Sequence, residues 1–153
     1  MTHVRKLDIS LVEGEYNSPL QGPVRGPRQV FEVFQSIKDR AQETCIGVFL
    51  DQHLAAQSYD VLSVGTRRET LMDPVEIFGR AFIFRSRYVI LIHNHPSGDP
   101  TPSEADRAAL RELIAKGKVV DVRLLDFIIV GDGNYWSFAE SHEAGDYALG
   151  AVA

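Results

Sequence analysis

The sequence predicts a single domain of the α/β or α+β class, built as a mixed β-sheet flanked by helices. Segments of helical period and segments of strand character alternate along its 153 residues, the pattern of layered sheet-and-helix folds. Two strand-like runs lie close enough in sequence to pair as a hairpin. A third run, Tyr88–Ile92 (YVILI), is apolar on both faces and so marks a central strand covered on both sides. A chain of this length buries one sizeable core. We divide it into a partly irregular N-terminal extension (1–28), the domain proper (29–140) and a C-terminal tail (141–153).

Each element has its own signal. Leu7, Ile9 and Leu11 alternate as one short edge strand would, and the prolines and glycines of Asn17–Gln29 then break any regular element. Val30, Val33, Phe34 and Ile37 recur at helical spacing, which predicts a helix from Pro27 or Arg28 to about Arg40. Glu43–Leu50 (ETCIGVFL) reads as a strand and His53–Gly65 as its hairpin partner across a tight Asp51-Gln52 connection. A second helix opens at Asp73 as N-cap, with Pro74 in the first helical position and Glu76 completing a capping-box pattern. Ile77, Phe78, Ala81 and Phe82 form its buried stripe. Arg87–Ile92 is the central strand. The third helix runs from about Glu104 to Lys116, with Leu110, Leu113 and Ile114 facing the core and Gly117 as its C-cap. Val119–Val130 is mostly strand, GDGN is a turn, and Tyr135–Phe138 is a last short strand.

Composition narrows the function classes. A protein that grips nucleic acid through phosphates shows a basic surplus, whereas the formal charge here is −5. The basic pairs Arg67-Arg68 and Arg85 with Arg87 read as solvated surface. The single cysteine, Cys45, allows neither an internal disulfide nor a cysteine metal cluster, and in an apolar strand it reads as a buried, inert thiol. The N-terminal residues MTHVRKLDIS lack the apolar core of a signal peptide, and no stretch reaches membrane-spanning length. Cytoplasmic residence without a membrane partner is the expectation.

The chemistry concentrates in His93–Asp106 (HNHPSGDPTPSEAD). Strand side chains alternate faces, so His93 and His95, at the end of the central strand, point the same way. Asn94 points to the opposite face and bonds the neighbouring loop. A carboxylate in the first turn of the following helix folds back over the imidazoles. Asp106 is the candidate third ligand, with Asp99 and Glu104 as competitors. Two imidazoles and one carboxylate leave a fourth zinc position open for water, which is a catalytic rather than a structural arrangement. Asp106 also forms Ser-x-x-Asp with Ser103, close to a capping box, and the two roles are compatible. For Ser103 two readings stand side by side: helix N-cap, or donor to an oxyanion beside the metal. A zinc hydrolase also needs a general base. The histidine segment carries no such glutamate, so it comes from elsewhere. Glu43, opening an apolar strand, is the best candidate, its alternative being a solvated strand end. Glu32, Glu69 and Glu76 fit helix or loop surface.

Together these residues resemble the JAB/MPN domain, the JAMM-motif metalloprotease superfamily. Its pattern is an upstream Glu, then His-x-His-Pro, six residues, and Ser-x-x-Asp, matched at Glu43, His93, His95, Pro96, Ser103 and Asp106. The string HNHPSGDPTPS is similar to the RadC-like branch, as are Gly65-Thr66, Pro74 with Glu76, and the ending IIVGDGNYWSF. The resemblance implies a three-layer α-β-α sandwich of deaminase-like type. It also implies one Zn2+ per chain held by His93, His95, Asp106 and a water, with Glu43 as general acid/base and Ser103 as oxyanion-side donor. The implied activity is that of a metallopeptidase or isopeptidase acting on a peptide or isopeptide protein substrate, ubiquitin-like modifiers included. The alternatives are a RadC-like DNA repair-associated protein, nuclease or accessory factor, and a non-catalytic MPN interaction module. A two-metal nuclease needs more clustered carboxylates than the spare Asp99 and Glu104, and zinc deaminases use a Cys-x-x-Cys pair that one cysteine cannot supply. Two positions depart from the RadC-like pattern: Asp126-Phe127 stands where Asp-His is usual, and Pro74-Val75-Glu76 where Pro-Arg-Glu is usual. Neither is expected to touch the zinc ligands. The helix-hairpin-helix region of longer RadC proteins is not expected within residues 1–28.

Overall fold

The computed structural model describes residues 4–10, 12, 20, 22–65, 72–141 and 143. Its elements in chain order are α1 (Pro27–Phe34), β1 (Thr44–Leu50), β2 (Ala56–Val64), α2 (Pro74–Ile83), β3 (Tyr88–Asn94), α3 (Glu104–Val120), β4 (Arg123–Val130) and β5 (Tyr135–Ser137), with a 3-10 turn at Gln35–Asp39 after α1. The five strands form one sheet in the order β2-β1-β3-β4-β5. β1 is antiparallel to both β2 and β3, β3 and β4 are parallel, and β5 returns antiparallel on β4. α3 is the crossover that parallel pairing of β3 and β4 demands. The apolar Tyr88–Ile92 run thus lies in the middle strand, as its two-faced hydrophobicity requires.

The core divides into two layers, one on each sheet face. Val30, Phe31, Phe34 and Ile37 pack with Ile46, Val48, Ile90, Ile92 and Ile128 on one face. Ile77, Ala81, Leu110 and Leu113 pack with Cys45, Phe49, Leu91, Phe127 and Ile129 on the other. Helices therefore cover both faces of a mixed sheet, the three-layer arrangement. Among the described residues no helix is long and apolar enough to cross a membrane.

Several local expectations are corrected. Residues 4–10 carry no regular element, with Leu7 and Ile9 exposed, and Leu11 lies outside the described residues. The first helix tightens into 3-10 geometry after Phe34, which still buries Ile37 completely. The hairpin connection is longer than Asp51-Gln52. It runs to Ala55, with Asp51 Oδ1 accepting from the His53 and Ala55 amides and Leu54 in the left-handed region. Asp73 caps α2 by accepting from the Val75 amide at 2.9 Å, but the Glu76 carboxylate turns to Arg80. Of the predicted stripe, Ile77 and Ala81 are buried and Phe78 packs partly buried against the same core, but Phe82 is 55% exposed. β3 extends two residues past Ile92 to take in His93 and Asn94. α3 runs to Val120, absorbing Val119 and ending at a left-handed Asp121. Gly117 is not its cap: the Val122 amide returns to the Gly117 carbonyl, and a Cβ at Gly117 would stand 2.4 Å from the Val122 oxygen. The last strand stops at Ser137, with Phe138 buried just beyond it.

Candidate metal centre

β3 delivers the two imidazoles. His93 pairs with Cys45 across β1 and with Ile129 across β4, so its ring sits deep in the sheet at 1% exposure. His95 follows just past the strand end, on the same side, with the two ring centroids 4.8 Å apart. The Pro96–Pro102 loop then reverses the chain into α3. Ser103 is the N-cap of that helix and makes a full capping box: its hydroxyl accepts from the Asp106 amide at 3.0 Å, and its own amide donates to Asp106 Oδ2 at 2.8 Å. This box aims the Asp106 carboxylate back at the histidines. His95 Nε2 lies 3.1 Å from Asp106 Oδ2, and His93 Nε2 lies 3.7 Å from Oδ1.

The loop is shaped to hold this geometry. His95 Nδ1–H donates to the Asp99 carbonyl at 2.9 Å, which fixes the tautomer and leaves Nε2 facing the carboxylate. The Asp99 side chain is taken by the amide and hydroxyl of Thr101, and Glu104 pairs with Arg111 at the surface. Neither competes with Asp106. Gly131, in the β4–β5 turn, supports the loop from behind: a Cβ there would stand 2.7 Å from both the Gly98 carbonyl oxygen and Pro100 Cδ. The Asp132 amide completes the contact by donating to Gly98 O at 3.0 Å.

Glu43 arrives from the start of β1. Its carboxylate and the ring nitrogens of His93 and His95 all lie within 4.8 Å of one another. Two carboxylates of different character therefore flank the imidazole pair. Asp106 is buried and held by the α3 N-terminus; Glu43 is half-buried. Glu32 is exposed on α1, Glu76 is bound to Arg80, and Glu69 lies outside the described residues, as do Thr66, Arg67 and Arg68.

Electrostatics favour the ligand forms of His93 and Asp106, while the Asp106 hydrogen bond favours the protonated form of His95. Burial pushes the His93 pKa down to about 4, with the Asp106 charge only partly opposing it, so the ring is neutral at pH 7. His95 is raised, first by its hydrogen bond to Asp106. Burial disfavours the Asp106 carboxylate, yet the His95 and Ser103 hydrogen bonds and the His93 charge outweigh it and bring its pKa down to about 2. Cys45 is fully buried beside His93, and burial pushes its thiol up to about 12, which makes it inert.

The residues fit a metal. His93 Nε2 is buried without a hydrogen-bond partner and points at a carboxylate, a costly state for a polar atom unless a ligand completes it. Two donors each about 2.1 Å from a tetrahedral zinc stand roughly 3.4 Å apart. The spacings of 3.1 and 3.7 Å bracket that value. Two nitrogens and one or two carboxylate oxygens form a donor set suited to a divalent ion such as zinc.

One neighbour escaped the motif. Phe127 is fully buried and stacks on His93, with centroids 5.9 Å and planes 25° apart. The Asp126-Phe127 departure therefore does touch a proposed ligand, contrary to expectation; its signal was its difference from the usual Asp-His pair. Val75, the other departure, is 75% exposed at the start of α2.

Comparison with known proteins gives the family of the chain. A family model described as the RadC-like JAB domain matches residues 24–144. The chain is 40% identical over 115 residues to a UPF0758 protein of Pelobacter propionicus, covering 74% of this chain and 50% of that protein. It is 42% identical over 106 residues to UPF0758 protein XCV4028 of Xanthomonas euvesicatoria, covering 69% and 47%. A UPF0758 protein of Methanosarcina mazei is 33% identical over 118 residues, covering 76% and 52%. The chain spans about half the length of the curated relatives it matches. With the family model running from before α1 to beyond β5, over the whole sheet and the histidine site, this chain belongs to the RadC-like JAB domain family.

Proposed function

We propose that this chain is a zinc-dependent metallohydrolase of the JAMM type, a metallopeptidase or isopeptidase that cleaves an amide bond. The observation that supports it is the imidazole pair between two unlike carboxylates. Asp106, buried and held by the α3 cap, serves as third ligand with His93 and His95. A divalent metal held there supplies Lewis acidity and lowers the pKa of a bound water toward neutrality.

The chain's own groups do the rest. Glu43, half-buried and within reach of both solvent and the imidazoles, takes the proton from the attacking water and returns it to the leaving amine. Ser103 uses its hydroxyl oxygen as an acceptor in the helix cap, which leaves its O–H to donate to the substrate carbonyl oxygen as charge develops there. The His95–Asp99 hydrogen bond keeps the ligand ring oriented throughout. The substrate class is a peptide or a lysine isopeptide, bonds to ubiquitin-like modifiers included.

The test is turnover of zinc-loaded protein on fluorogenic peptide and lysine-isopeptide substrates, beside Glu43→Gln. The variant is expected to retain zinc at saturating metal and to lose about 10²–10⁴ in rate. Turnover that survives in Glu43→Gln sinks the assignment.

A further inference from the structure

We propose that Asn94, the residue between the two histidines, is the positioning residue for Glu43. The inference rests on the metal-site reading above, but its footing is a set of hydrogen bonds. Asn94 ends β3 with its side chain fully buried. Its Oδ1 accepts from the Thr44 amide at 2.7 Å, and its Nδ2 donates to the Arg40 carbonyl at 3.3 Å and the Gln42 carbonyl at 3.4 Å. These three backbone groups bracket Glu43 on both sides.

Glu43 needs such a brace. It precedes the first β1–β3 pair, Cys45 with His93, so ladder pairing with the histidine strand does not reach it. Its own carbonyl is taken from the other side by the Gly65 amide at 2.7 Å, at the end of β2. Asn94 supplies the link to β3. Only a side-chain amide offers one acceptor and two donors in a single plane, matching one N–H and two carbonyls. Aspartate would present oxygens to two carbonyls, and serine would leave one group unmet. Of the three, the Thr44 amide is the buried one, and a buried N–H left without a partner is strongly disfavoured; the Gln42 carbonyl also accepts from the Thr44 hydroxyl at 3.2 Å. The residue that separates the two histidines therefore also ties the base segment to them, so the spacing between Glu43 and the imidazoles is set inside one hydrogen-bonded unit.

The test is a double-variant cycle read by zinc affinity, with zinc alone as probe and a chromophoric chelator as competitor. Removing a carboxylate that supports a metal site weakens metal binding about 10–100-fold, so Glu43→Gln is expected to weaken zinc at least about tenfold. Asn94→Ala is expected to weaken it by a similar factor, and the double variant to be no weaker than Glu43→Gln, because Asn94 acts through Glu43. Multiplicative losses in the double variant, or an unchanged affinity in Asn94→Ala, overturn the proposal. Amide hydrogen exchange of the metal-free protein is the second readout. In Asn94→Ala the Thr44 amide is expected to exchange faster while Leu91 and Ile92 stay protected; unchanged Thr44 exchange overturns the proposal. If the wild-type chain takes up no zinc, the metal reading fails, and the exchange result still decides the role of Asn94. Asn94→Ser, which keeps one donor and one acceptor, is read in the same way if Asn94→Ala does not fold.

Discussion

Asp126 shows how one buried side chain sets a pH dependence. It accepts from the Phe127 and Ala139 amides and from the Ser137 hydroxyl, yet burial dominates and raises its pKa from 3.8 to about 6. The folded state therefore holds this proton more tightly than the unfolded chain. Between about pH 4 and 6 the native protein binds more protons, so this group's contribution to stability falls as pH rises through that window. A shift of this size amounts to roughly 3 kcal/mol. Asp126→Asn is expected to gain stability relative to wild type between pH 4 and pH 7, measured by urea unfolding across the range. A constant difference across that range would contradict the assignment. Ser103 offers a second residue-scale test, because its two roles separate by substitution. Ser103→Ala is expected to cost about 1 kcal/mol through the lost cap, and Ser103→Gly only a few tenths. Both lose the O–H, so both are expected to lose turnover equally, by about 10²–10³-fold. Rates that follow stability instead would leave Ser103 as a cap only.

At the scale of elements, what was legible in the sequence was what periodicity and spacing encode. His93, His95, Ser103 and Asp106 were legible because strand alternation and a helix cap are local rules, and both hold. What was not legible depends on a partner distant in the chain. Gly117 looks like a helix stop until the close return of the Val122 carbonyl is known. Phe82 fits the helical stripe, but the core takes Ile77, Ala81 and part of Phe78 and leaves Phe82 at the surface. Phe127 reads as ordinary strand interior, and only parallel pairing of β4 with β3 sets it against His93. Gly131 belongs to the same class. Its missing side chain admits the Gly98–Pro100 segment of the metal loop. Gly131→Ala is expected to displace that loop and weaken zinc binding at least about tenfold while the sheet stays folded, as read by chelator competition beside circular dichroism. Undiminished affinity would show that the loop holds its shape without this contact.

At the scale of the whole molecule, the sheet acts as the ruler. Three of the four metal-facing groups sit on or beside β1 and β3, and α3 brings the fourth over them. A metal held by the proposed ligands would be linked to the fold: a ligand that binds only the native state stabilises it by RT ln(1 + [L]/Kd), about 2.7 kcal/mol at a hundredfold excess over Kd. Zinc addition is expected to raise the melting temperature, and a chelator to lower it.

The central claim is that His93, His95 and Asp106 hold a metal. Elemental mass spectrometry of untagged protein, beside Asp106→Ala, tests it most directly. The expected result is about one zinc per chain in the wild type and its loss in the variant. No zinc in the wild type after reconstitution at neutral pH, or equal zinc in both proteins, would contradict it.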